Sequence, residues 1–413
     1  MKIIIFGGSG AIGRACAWDL AKCPEVEKIG LVGRRREPLT QIQTWIGSPK
    51  IEVHVADILD RREAQKLMKA YDVGIISVPD RKTSYSLIHS AVEIGFSAVD
   101  NLEEYHRRPD AYETEGLEVP EGMTLNEYGD WLDARAKETG ATILDGMGFA
   151  PGLSNITVGE GIRKLDRAEK AIARVGGIPS KEAAWRHPLR YMITWAFEHV
   201  LREYMVRLNV IKSGKVTEVP ALIDRERFRF NRLGKDEELE CAVTPGMPSF
   251  IFTRPELQEF AEKTIRWPGH WEGVDALKEI GLLDLEPVEF QGVKIVPRQF
   301  LLHLIRPKLL PKEGETDVCV MWNTVTGIKD GRPTRIDYYM WDEADRKNNL
   351  TSMARVTGFP QAIGALFIGQ GLINQKGIVA PEDGIRGEVY RKFITELEKR
   401  NIRILEEVRE ITS

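Results

Sequence analysis

Cysteine is scarce. Four residues in 413 (Cys16, Cys23, Cys241 and Cys319) form no CxxC pair and no metal-ligand spacing, which argues against a disulfide-built fold and a zinc site. The histidines His187, His199 and His270 lack HxxxH or cysteine partner spacing too, so no metal centre is expected. An excess of one charge is also missing. The 58 basic and 62 acidic residues leave a net charge of −4, and that balance invites neither nucleic acid nor an anionic membrane. No apolar run approaches the ~20 residues that span a bilayer. The N-terminal apolar stretch is broken by four glycines within seven residues, unlike a signal peptide. Repeats and low-complexity stretches are absent. The chain reads as a reduced, cytoplasmic, globular protein of two or three domains.

What is present begins at the start of the chain. Ile3 to Phe6 is apolar at every position, as a strand covered on both faces should be. It runs into Gly8-x-Gly10-x-x-Gly13, followed by a helical stretch. In that geometry Gly8 allows a tight turn, Gly10 lets backbone approach a pyrophosphate, and Gly13 lets helix pack on strand. Gly8, Ser9, Gly10, Ala11, Ile12 and Gly13 are therefore candidate dinucleotide contacts, with phosphates on the free N–H groups of the helix start.

The second strand, Lys28 to Gly33, ends in Arg34-Arg35-Arg36 where an NAD site usually carries Asp or Glu. Arg34 and Arg35 suit a 2′-phosphate, so NADP is preferred and NAD remains possible; a solvated basic turn is the plainer alternative. Ile51 to Asp57 is the third strand, with Asp57 and Ile58 placed for an adenine. Val73 to Pro79 is the fourth, and Ser77, Val78 and Pro79 would border the nicotinamide ribose. Phe96 to Asp100 and Ala141 to Asp145 complete six strands. Glu103 to Gly122 is polar and reads as a surface excursion. This is the doubly wound pattern of a Rossmann domain over 1–146.

Beyond a glycine-rich turn, Gly146 to Gly152, the texture changes. Short alternating segments (Ala171 to Val175, Lys215 to Ala221, Phe228 to Phe230, Ser249 to Thr253, Lys294 to Val296, Cys319 to Gly327, Arg335 to Met340) predict an open mixed or antiparallel sheet with helices. That gives an α+β substrate domain over 147–350 and C-terminal helices over 351–413, the first of them packing back on the Rossmann domain. Hinges at Gly146 to Gly152 and near Thr357-Gly358 would let the domains close. A homodimer is expected on frequency alone.

Five stretches carry a resemblance: GGSGAIG at the start, GFAPGLSN at 148–155, His187-Pro188-Leu189-Arg190-Tyr191-Met192-Ile193-Thr194-Trp195, Thr264 to His270, and Thr351 to Pro360. In this order the chain resembles the saccharopine dehydrogenase-like family, nearest to lysine 6-dehydrogenases. The resemblance implies an NAD(P)-dependent oxidoreductase acting on a carbon–nitrogen bond of a small amino-acid substrate, with oxidative deamination of lysine or a related diamino acid as the first expectation. An imine-reducing enzyme of the saccharopine or carboxynorspermidine dehydrogenase type is the alternative, and a dinucleotide sensor without catalysis is a third reading. Saccharopine-forming relatives tend to carry Arg shortly after the Trp of the Thr-Trp pair. Here Glu198 stands there, which suits an ammonium group.

Candidate substrate contacts are Arg266 for a carboxylate, Glu198 for an ammonium, and Trp195 as a pocket wall. His187 and His270 are candidate proton carriers because imidazole titrates near neutrality. Tyr191 would orient the amine or a water. Asp100 and Asp145 end strands on the side where this fold binds ligands. Spacing from Tyr191 to Leu201 reads as one helix that aligns Tyr191 with Glu198.

Overall fold

The computed structural model describes residues 1–102, 119–195 and 197–411, so 103–118, most of the polar excursion, lie outside the described residues. The chain opens as β1 (Lys2–Phe6), α1 (Ala11–Leu20), β2 (Lys28–Gly33), α2 (Arg36–Ile46), β3 (Ile51–Val55), α3 (Arg61–Met68), β4 (Val73–Ile76), α4 (Arg81–Glu93), β5 (Ala98–Asp100), α5 (Leu125–Thr139) and β6 (Thr142–Leu144). It continues as α6 (Leu153–Arg163), β7 (Arg167–Pro179), α7 (Lys181–Ala184), α8 (Phe197–Glu203), β8 (Arg207–Lys212), β9 (Lys215–Pro220), β10 (Glu226–Phe230) and β11 (Glu237–Val243). Then come α9 (Phe250–Thr253), β12 (Glu259–Arg266), α10 (His270–Glu279), β13 (Val288–Phe290), β14 (Val293–Ile295), α11 (Pro297–Leu309), β15 (Asp317–Lys329) and β16 (Arg332–Glu343). The last elements are α12 (Ser352–Gly369), β17 (Gly377–Val379), α13 (Pro381–Gly384), α14 (Glu388–Lys399) and β18 (Ile404–Glu410).

The first sheet is parallel throughout, in the order β17-β6-β5-β4-β1-β2-β3. Its central strands are buried at nearly every position, because helices cover both faces. Helix starts are set by local chemistry: Asp60 and Asp80 cap α3 and α4, and Thr124 with Glu127 forms a capping box on α5. The second sheet is mixed, in the order β10-β11-β12-β7-β15-β16-β18, with β8 and β9 attached at β12. Only the β12–β7 pair in it is parallel among the described strands.

The segment after 350 serves both sheets. It gives β17 to the first and β18 to the second, while α12 lies across α1 and the faces of β4 and β5. The start of α12 is held by the second domain. Asp317 accepts from the N–H groups of Ser352 and Met353 (2.7 and 2.9 Å), and Asp342 pairs with Arg355 (3.0 Å), all buried.

Three sequence expectations change here. Ser249 to Thr253 is not a strand: Phe252 and Thr253 donate back to the Ser249 carbonyl, and Phe250 stacks on Phe260 at 4.7 Å. The helix does not run from Tyr191, because Leu189 and Arg190 take positive φ and Tyr191 is extended; α8 begins at Phe197. Thr357-Gly358 is no hinge. It sits inside α12, where a Cβ on Gly358 would stand 3.0 Å from the Ile12 carbonyl and 3.1 Å from Ala15.

Candidate active site

The dinucleotide end lies at the carboxyl ends of the parallel strands. The residue with the left-handed backbone is Gly7 (φ +83°), not Gly8; a Cβ on Gly7 would collide with the Ser77 carbonyl. Gly8 is instead pressed on Leu31, and Gly13 admits the Gly7 carbonyl that a side chain would block. Gly10 donates to Gly7 O (3.0 Å), and the helical ladder starts with Arg14 N–H to Gly10 O. The first-turn N–H groups of Ala11, Ile12 and Gly13 therefore have no helical acceptor, and the turn itself carries no acidic residue. Ser77 donates its N–H to Phe6 O, and its hydroxyl is buried without a partner among the described residues. This cradle fits a pyrophosphate.

Around it, Arg34 and Arg35 are exposed at the end of β2, with no described ion pair, and Arg35 is the residue before α2. Asp57 accepts from Leu59 N–H and donates its own N–H to Glu63, so its carboxylate shapes the turn that presents Ile58. Val78 is buried and Pro79 exposed. Asp100 accepts from the Ser84 hydroxyl (2.7 Å), and its carbonyl accepts from Met147 N–H (2.6 Å). Asp145 is buried one strand over, with its N–H on Val379 O.

From this loop α12 leads into the second domain. Gly358 touches Ile12, and one to two turns earlier Met353 packs on Gly177 of β7, beside Thr194 and Cys319. Five residues of helix, a rise of about 7.5 Å, separate the contact with Ile12 from the residue that packs beside Thr194.

Behind Thr194 is a buried polar cluster. Arg266 at the end of β12 donates Nε and Nη2 to the Tyr204 hydroxyl (3.1 and 2.9 Å) and Nη1 to Ile265 O. Its guanidinium lies 5.3 to 6.0 Å from the rings of Tyr191, Tyr204 and Trp271. Burial opposes its charge, but Tyr204, Tyr191 and Glu203 more than compensate. Tyr204 O–H in turn donates to His270 Nε2 (3.0 Å), and His270 Nδ1–H donates to Leu189 O (2.8 Å). Burial, then the charge of Arg266, pushes His270 down to about 3, so it stays neutral. The hydroxyls of Tyr191 and Thr194 are buried and act on each other, with no further hydrogen-bond partner among the described residues. Glu262, also buried on β12, is pushed well above the usual carboxylate range by burial, against a hydrogen bond from Thr244.

The structure thus brings Tyr191, Arg266 and His270 together and leaves other candidates out. His270 is a strut with both ring nitrogens engaged, not a proton carrier. His187 is another: its nitrogens meet Lys308 O (2.8 Å) and the buried side chain of Glu315 (2.7 Å). Glu198 is a surface group, its side chain 60% exposed and paired with Arg202 four residues on (3.2 Å). Trp195 is 40% exposed and stacks on His199. Sequence reading missed Glu203, Tyr204, Thr244 and Glu262. Their only signal was the two-residue spacing of Glu262, Thr264 and Arg266, visible once Glu259–Arg266 is known to be a strand.

Among the described residues no His/Cys/Asp/Glu group could hold a metal, and no helix is long and apolar enough to cross a membrane. Residues 3–144 match the family model described as Saccharopine dehydrogenase NADP binding domain, and 148–402 match Saccharopine dehydrogenase C-terminal domain. A carboxyaminopropylagmatine dehydrogenase of Synechocystis sp. is 21% identical over 404 residues, 93% of each chain being covered. A saccharopine dehydrogenase (NADP+, L-glutamate-forming) of Pyricularia oryzae is 23% identical over 317 residues, covering 60% of this chain and 70% of that one. The apo saccharopine dehydrogenase (L-Glu forming) from Saccharomyces cerevisiae shares the fold, with a TM-score of 0.77 at 18% identity over 99% of both chains. The chain belongs to the saccharopine dehydrogenase family, as an oxidoreductase with an N-terminal NADP-binding domain.

Proposed function

We propose that this oxidoreductase reduces the C=N bond between an amine and an aldehyde, giving a secondary amine that bears a carboxylate. One observation carries the reading: a buried cation with spare donors stands in the polar cluster of the second sheet, against the Tyr191 ring. Of the five N–H groups on a guanidinium, three of those on Arg266 have partners, and the two left suit a carboxylate. The buried hydroxyls of Tyr191 and Thr194 would orient the rest of the substrate. Bound NADPH would supply the hydride. The second reading, oxidation of lysine or a related diamino acid, is favoured by Glu203 near Arg266, which suits an ammonium group. It loses the support of Glu198, which pairs with Arg202 at the surface. The names of the relatives favour secondary amines.

The test is a screen of amine–aldehyde pairs with NADPH and NADH, and of lysine and diamines with the oxidised cofactors, followed by nicotinamide absorbance. The proposal expects NADPH consumption with a carboxylated amine or aldehyde and little turnover of lysine alone. Lysine-dependent NADP+ reduction without an aldehyde would favour the second reading.

A further inference from the structure

Reduction of a C=N bond needs a proton at nitrogen as well as a hydride at carbon. His187 and His270 are both engaged at both nitrogens and cannot provide it. We propose that Glu262 is the proton donor of this site. This rests on the reading of the pocket as a C–N redox site.

Glu262, Thr264 and Arg266 share one face of β12, since alternate strand residues do. The Glu262 residue is 4% exposed, and its bonded partner is a neutral hydroxyl, Thr244 Oγ1 at 2.8 Å, itself 2.6 Å from Thr264 Oγ1. The chain makes room for this carboxyl: a Cβ on Gly246 would stand 2.5 to 2.9 Å from its atoms. Beside it is a cavity of about 20 Å3, lined by Asn209, Thr244, Gly246, Met247 and Glu262 among others, with space for one water. Met247 touches the Ser154 hydroxyl at the start of α6, the first helix after the 146–152 turn that leads out of the Rossmann domain. A second feature points to a ligand: the Tyr191 hydroxyl is fully buried, has only the Thr194 hydroxyl to interact with among the described residues, and belongs to the ring that lies against Arg266. The charged groups that act on Glu262 are Glu203 from α8 and Arg266 from its own strand. Burial and Glu203 favour the protonated acid, and Arg266 steadies the carboxylate formed after transfer.

The step balances. The C=N π bond breaks, hydride from NADPH forms the C–H bond, and the Glu262 proton forms the N–H bond through one water. The carboxylate left on Glu262 takes its proton back from solvent.

Glu262→Gln keeps the size and the Thr244 contact but holds no acid proton. With the amine–aldehyde pair from the screen, kcat should fall about 100-fold or more while KM values stay within about twofold. Wild-type kcat should fall as pH rises through the ionisation of Glu262; that limb should vanish in Glu262→Gln and return in Glu262→Asp. Unchanged kcat and an unchanged limb in the Gln variant would overturn the proposal. NADPH fluorescence titration checks that each variant is folded. Infrared difference spectra, with Glu262→Asp as reference if the Gln variant misfolds, need no turnover: a protonated carboxyl at neutral pH supports the proposal and a carboxylate overturns it. A chain that turns over nothing in the screen but shows the protonated carboxyl refutes the reaction class, not the acid.

Discussion

Arg34 and Arg35 show how a single pair of side chains can set cofactor choice. Both guanidiniums are in solvent at the tip of β2, with no described ion pair to break before they meet a phosphate. Replacing both with Ala should weaken NADPH by about 1.5–3 kcal/mol, the range for a charge-assisted contact, and leave NADH nearly unchanged. Titration by nicotinamide fluorescence checks it, and equal weakening of both cofactors would sink the idea. The place of this pair was legible because it follows a strand at a position where such folds meet the ribose. Glu198 was misread for the opposite reason. Its role hung on a helix face that Leu189 and Arg190, with φ of 56° and 49°, break before it forms. His187 and His270 have the chemistry of proton carriers, but sequence does not show that backbone carbonyls and a carboxylate already hold their nitrogens.

At the scale of the element, α12 is the piece to which both halves of the site attach. Asp317 and Asp342 fix its first turns to the second sheet, and Gly358 seats it on α1 directly behind the dinucleotide loop. Gly358→Val should force α12 away from Ile12 and Ala15. Overpacking of this kind costs about 1–3 kcal/mol, and here it also displaces the Ile12 turn, so the melting temperature and NADPH affinity should fall together. Loss of stability with intact affinity would show that the loop does not depend on the helix. The parallel strands of the first domain were readable from runs such as Ile3 to Phe6, where burial on both faces leaves an uninterrupted apolar signal. In the second sheet, β12 carries Glu262, Thr264 and Arg266 on one face, Glu262 and Arg266 buried, so the usual rule of apolar inside and polar outside is broken at the proposed site.

Over the whole molecule, the two domains are joined by more than the 146–152 turn. Residues 351–410 place α12 between them and complete both sheets with β17 and β18. The Rossmann half expressed alone as residues 1–146 would leave the β6 edge open and the packing face of α1, with Ala15 and Cys16, bare to water. It should be poorly soluble and bind NADPH far more weakly than the full chain, and joining residues 351–384 to it through a flexible linker should restore binding. Full affinity in the bare fragment would show that the tail is dispensable for this site. The same arrangement has a consequence in time. Thr142, on β6, bonds Gln375, 233 residues further on, and at ~5–20 residues per second the ribosome needs on the order of 10–50 s to cover that gap. Throughout that interval the nascent first sheet has an unpaired border, so translation speed and chaperone occupancy, rather than local sequence, govern how much of the chain reaches its closed form.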